Sequence, residues 1–135
     1  MDPRFLLDTN ICIYIRQKRP PKVLARFEKL KSGEAALSVV TYGELWYGAA
    51  KSVQRQVAME RLGALVSFLP VVALPETAAE AYGEIRAALE SKGKIIGGND
   101  LWIASHAKAS GLVLVTNDER EFKRIPGLTV EDWSK

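Results

Sequence analysis

Histidine and cysteine are almost missing from this chain. A single Cys12 excludes a disulfide framework within the chain and any zinc site built on several thiolates. A single His106 excludes a histidine-based metal cluster and a pair of imidazoles dividing acid and base work. No apolar run approaches the roughly 20 residues that a membrane-crossing helix needs. The start, Met1-Asp2-Pro3-Arg4-Phe5, leads straight into a strand-like segment, so no signal peptide is in view. The expected setting is cytoplasmic and reducing. What is present, 47% apolar and 26% charged residues in a length of 135, is the mixture of one globular domain spanning residues 1–135 with a full core.

The net charge of +3 is unevenly spread. Residues 1–33 hold eight Lys and Arg against three Asp and Glu, and the remainder eleven against thirteen. A basic arm beside acidic segments suits a polyanion, although a solvated helix face rich in Lys and Arg has the same composition.

Apolar runs of strand length alternate with helix-period segments. Strands are expected at Arg4–Leu7, Ala35–Val40, Val71–Leu74, Leu112–Val115 and Leu128–Val130. Between them fall a short helix over Ile11–Gln17, and one restarted by Pro20-Pro21 with the stripe Val23, Leu24, Phe27 and Leu30. Further helices begin near Thr41, carry Ala58, Leu62, Leu65 and Leu69, carry Ala78, Tyr82, Ile85 and Leu89, and cover Asn99–Ser110. Lys92 to Gly98 reads as a basic glycine-bearing loop. Strand–helix alternation with near-continuous Val, Leu and Ile strands predicts an α/β domain, Rossmann-like, whose mainly parallel sheet of four or five strands is covered on both faces. Ligands of such sheets bind beyond the carboxyl ends of the strands, where the strand order switches.

Four acids stand out in that frame. Asp8 ends the run Phe5-Leu6-Leu7, and Asp118 follows Leu112–Val115 and Thr116-Asn117. Asp100 opens a helix on its apolar stripe, ahead of Ile103 and Ala104. Glu44 lies in Thr41-Tyr42-Gly43-Glu44. Each has a purely structural alternative. Asp8 and Asp118 suit a helix cap or an Asx turn, and Asp100 suits the positive end of a helix dipole. Thr41 with Glu44 matches a capping box, and Asn10 could cap the first helix in place of Asp8. If the four converge, like charges about 4 Å apart repel by roughly 4 kcal/mol at an effective dielectric near 20. The site then either stays partly protonated or holds hard cations.

Other residues read less sharply. Arg16, Lys18, Lys92, Lys94 and Arg120 are candidates to track phosphates, none individually assignable. Trp46 and Tyr47 are core, or with Trp102 an exposed groove for a partner. Cys12 is expected in the core, and His106 at the surface or in packing.

Taken in order, Phe5-Leu6-Leu7-Asp8-Thr9-Asn10-Ile11, Ser38 to Leu45, Asn99-Asp100-Leu101-Trp102-Ile103-Ala104 and Leu114-Val115-Thr116-Asn117-Asp118 resemble a PIN-domain ribonuclease, most closely the VapC toxins of toxin–antitoxin pairs. The tail from Arg120-Glu121-Phe122 to Trp133 extends the likeness over essentially the whole chain. The resemblance implies a three-layer α/β/α domain that cuts single-stranded or loop RNA with Mg²⁺ or Mn²⁺. It maps Asp8, Glu44 and Asp100 to the core metal-binding acids and Asp118 to a fourth position where many relatives carry Asn. Thr9, Asn10 and Thr116 map to supporting polar residues. It also implies a homodimer and a cognate VapB-type antitoxin. Three rivals are a PIN nuclease of RNA maturation, a phosphoacceptor domain, which lacks its expected Asp-x-Asp pair in Asp8-Thr9-Asn10, and a non-catalytic binding module.

Overall fold

The computed structural model describes residues 2–135. A five-stranded, wholly parallel sheet in the order β3-β2-β1-β4-β5 divides it. The elements in chain order are β1 (Phe5–Leu7), α1 (Thr9–Gln17), α2 (Pro21–Glu28), β2 (Ala35–Ser38), α3 (Val39–Ala50), α4 (Arg55–Phe68), β3 (Val71–Val72), α5 (Glu76–Ser91), α6 (Gly98–Ala109), β4 (Val113–Val115), α7 (Glu119–Phe122) and β5 (Val130–Glu131). Among the described residues, no helix is long and apolar enough to cross a membrane.

Side chains alternate across the strands, and each face builds its own core. Phe5, Leu7, Ala35, Leu37 and Val115 pack with Ile11, Cys12 and Ile15 of α1, Val23 of α2, Leu45 of α3 and Leu62 of α4. Leu6, Ala36 and Leu114 face the other way, onto Ile85 and Leu89 of α5, Ile103, Ala104 and Ala107 of α6, and Phe122. A sheet buried on both faces explains why its strands are continuous apolar runs. Strand order reverses between β1 and β4, whose register pairs Leu7 with Val115. Asp8 continues that ladder by donating its N–H to the Val115 carbonyl at 3.0 Å. The switch point thus has Asp8 on one side and residues 116–118 on the other.

Several boundaries differ from the sequence expectation for local reasons. Asp8, not Asn10, caps α1: its side chain accepts from the Ile11 N–H, so the helix begins at Thr9. Strand β2 stops at Ser38, whose hydroxyl accepts from the Val40 N–H and starts α3 two residues early. That shift abolishes the Thr41–Glu44 capping box, since both residues then lie inside the helix. The last strand is displaced to Val130–Glu131, and the short α7, capped by Asp118, was not expected.

Candidate acidic active site

Asp8 is buried to 5% exposure at the end of β1. One carboxylate oxygen accepts from Ile11 N–H at 2.9 Å, and the Thr116 hydroxyl also bonds the side chain. Burial raises its pKa from 3.8 to about 6, against these hydrogen bonds and with added repulsion from Asp100 and Glu44. Asp100, half-buried in the first turn of α6, is also held above the usual carboxylate range, first by burial, then by Glu44 and Asp118. Glu44 projects from the second turn of α3 and accepts from the Thr9 hydroxyl at 2.5 Å. Asp118 is the exposed outer member, its oxygen accepting from Glu121 N–H at 3.2 Å. Side chains from four separate segments therefore act on one another electrostatically.

The polar residues expected around them form two bridges across the switch point. Thr116 bonds Asp8 and accepts from the Asp118 N–H at 3.1 Å, tying the inner acid to the outer one. Asn10 donates to Asn117 at 3.4 Å, and Asn117 donates to the Tyr14 hydroxyl at 2.9 Å, joining α1 to the loop after β4. Sequence reasoning missed Glu121. Its carboxyl is raised by burial, by Asp100 and by a hydrogen bond with Asp118, it bonds Asp100, and it accepts from Gly97 N–H at 3.4 Å. Asp118 and Glu121 have the spacing of a capping box, but the Asp118 N–H bonds Thr116 instead and the glutamate turns to Asp100 and Gly97.

No Lys or Arg forms an ion pair with Asp8, Glu44, Asp100, Asp118 or Glu121 among the described residues. Nor do three acid side chains close into a ligand shell as they stand. The donor set is all oxygen, negatively charged and lacking a positive partner, which fits a hard divalent cation that retains several waters and takes only one or two carboxylates directly. Asp8, Asp100, Glu44 and Asp118 would be the residues to hold such a cation. The protein's other reactive groups are elsewhere. Cys12 is fully buried, and His106 is buried with Nδ1 2.9 Å from Ser38 Oγ.

A cleft of about 710 Å³ opens beside the acids, lined by Thr9, Ile13, Val40, Gly43, Glu44, Tyr47, Gly48, Lys51 and Asn99. Trp102 is not part of an open groove, because it stacks on Tyr82 with ring centroids 3.9 Å apart. Trp46 and Tyr47 are exposed. The basic candidates do not gather at one place. Arg16 and Lys18 rim a separate, largely apolar groove of about 520 Å³ floored by Ile15, Phe27, Leu65 and Phe68. Lys92 and Lys94 lie exposed at the end of α5 and in the loop after it, and Arg120 is exposed on α7 beside Asp118.

Known proteins resemble this chain over nearly its whole length. The PIN domain family model matches residues 5–128. Ribonuclease VapC2 of Rickettsia felis is 43% identical over 132 residues, covering 97% of this chain and 98% of that protein. The tRNA(fMet)-specific endonuclease VapC of Shigella flexneri is 43% identical over 131 residues, with 97% and 98% coverage. A chain in the crystal structure of DNA-bound VapBC from Salmonella typhimurium superposes with a TM-score of 0.91 at 41% identity, covering 98% of this chain and 99% of that one.

Proposed function

The chain belongs to the PIN-domain family, among the VapC ribonucleases, and from that premise we propose that its acidic pocket is the centre of a divalent-metal-dependent endoribonuclease that hydrolyses unpaired or loop RNA. The observation that carries the metal requirement is the electrostatic coupling among Asp8, Glu44, Asp100 and Asp118, with no cationic side chain bridged to any of them among the described residues. Mg²⁺ or Mn²⁺ fits that set. When bound, such a cation acidifies water and offsets charge on the reacting phosphate.

The chain's own part is positioning. Ile11 N–H and Thr116 fix the Asp8 carboxylate, and Thr9 fixes Glu44, so the inner acids are oriented before substrate arrives. Asp118, exposed and held by Glu121 N–H, is the outer acid of the set. The Shigella relative is named for tRNA(fMet), which makes initiator tRNA the first substrate to try. The chain acts as the toxin of a pair, and a VapB-type antitoxin is its partner. The apolar groove floored by Phe27 and Phe68 suits a segment of such a partner. Exposed Val39, Trp46, Val53 and Val57 offer apolar surface for a second copy.

The purified chain should cut initiator tRNA in Mn²⁺ or Mg²⁺ and stop in EDTA, while Asp8→Asn should be inactive in either. Undiminished cleavage in EDTA, or by purified Asp8→Asn, would overturn the assignment.

A further inference from the structure

Helix α3 carries more than Glu44 on the face it turns to the cleft. Glu44, Tyr47, Gly48 and Lys51 follow at three, four and seven residues, the spacing of one helical stripe, and all four line the same space. Tyr47 is an aromatic residue left 65% exposed there. The Lys51 ammonium sits 4.8 Å from its ring centroid. At Gly48, the next residue on this stripe, a Cβ would meet nothing within 4 Å, so the cleft is open there. An exposed ring, a cation touching it and an adjoining acid site is the combination that single-stranded nucleic acids use, a base on the ring and a phosphate on the cation.

Resting on the nuclease reading above, we propose that this cleft seats one unpaired nucleotide next to the phosphate to be cut, its base stacked on Tyr47 and its own phosphate paired with Lys51. The occupant is RNA rather than protein because Glu44, one of the coupled acids, and Thr9, which bonds it, line this same cleft, and because its one cationic side chain is Lys51. Tyr47 is then a specificity residue: it demands an unpaired base and accepts any whose face is free.

The test measures dissociation constants in the Asp8→Asn background, which keeps substrate intact, and KM and kcat in the active protein. Oligoribonucleotides with a known cut site are used, intact or abasic at one nucleotide flanking the cut. Tyr47→Leu should weaken binding of intact RNA roughly 10-fold and raise KM more than it lowers kcat. Tyr47→Phe, which keeps the ring, should restore binding relative to the leucine variant. The penalty of Tyr47→Leu should vanish on the oligonucleotide abasic at the seated position. Gly48→Leu, helical and unobstructed, should reproduce the loss by filling the cleft. An equal penalty on every abasic RNA, or none on intact RNA, would overturn the proposal. So would a change of oligomeric state in Tyr47→Leu, which gives the face to a second copy. If wild type cleaves and Asp8→Asn does not, but Tyr47→Leu matches wild type, the stacking site falls alone; if Asp8→Asn still cleaves, both readings fall.

Discussion

Asp8→Asn tests the acid pocket through folding alone, without any substrate. In the metal-free protein the Asp8 pKa rises from 3.8 to about 6. The folded state therefore holds its proton more tightly than the unfolded chain. The stability this gives is fully present below about pH 3.8 and is lost as pH rises through about 6. At about 1.4 kcal/mol per pH unit, the charged form at pH 7.5 is disfavoured by about 3 kcal/mol. Asparagine cannot ionise, yet it caps a helix as well as aspartate and can still accept from Ile11 N–H. In EDTA at pH 7.5 the variant should exceed wild type by up to about 3 kcal/mol, roughly 10 °C in a chain of this size, less the few tenths lost from the helix dipole. At pH 4 the two should melt together. Adding Mn²⁺ should reverse the order by stabilising wild type and leaving the variant unmoved. Thermal melts across pH 4–8, with EDTA and with Mn²⁺, measure all of this. A variant equal to or less stable than wild type at pH 7.5 in EDTA would refute the reasoning, as would a gap that persists at pH 4.

Glu121→Gln should keep the fold but shift the midpoint of Mn²⁺-induced stabilisation upward, on the order of 10-fold; an unmoved midpoint in a thermal-shift titration would remove Glu121 from the cation site. His106 is held neutral because burial lowers its pKa below the usual 6.5, so its contribution is present above that value and is lost as pH falls. His106→Leu should weaken this acid-side decline yet lower stability at pH 8 by about 1–3 kcal/mol, since Ser38 loses a buried partner; denaturant titration at pH 5.5 and pH 8 checks both signs. Binding of RNA by Asp8→Asn should fall steeply between 50 and 200 mM salt if several Lys and Arg neutralise phosphates; a flat response in filter binding would reject that role for them.

The sheet and its two faces were legible because a strand buried on both sides must be apolar at every position, and Phe5-Leu6-Leu7 and Leu112–Val115 are. Asp8 and Asp118 were legible for the same reason, as polar residues where an apolar run stops. The start of α3 was not. Ser38, Val39 and Val40 favour strand by composition, and only the capping bond from Val40 N–H to the Ser38 hydroxyl ends the strand early. Glu44 was ambiguous because its local sequence imitates a cap, and the competitor disappears only when the helix is seen to begin at Val39. Glu121 stayed hidden because its approach to Asp100 depends on the turn made by α7. The scatter of basic residues over separate surfaces is a tertiary fact, and charge counts by segment do not reveal it.

The bond from Asp8 N–H to the Val115 carbonyl carries the β1–β4 ladder one residue past the end of β1, onto the last residue of β4. Inserting a residue between Leu7 and Thr9, or between Val115 and Asp118, would rotate an acid toward the opposite side of the sheet. The α4–β3 connection carries no such restraint on the acids of these two strand ends, whereas Gly97 in the α5–α6 connection is tied to Glu121. Length variation that preserves the chemistry is therefore confined to the remote connections, and the two short turns at the switch point tolerate none.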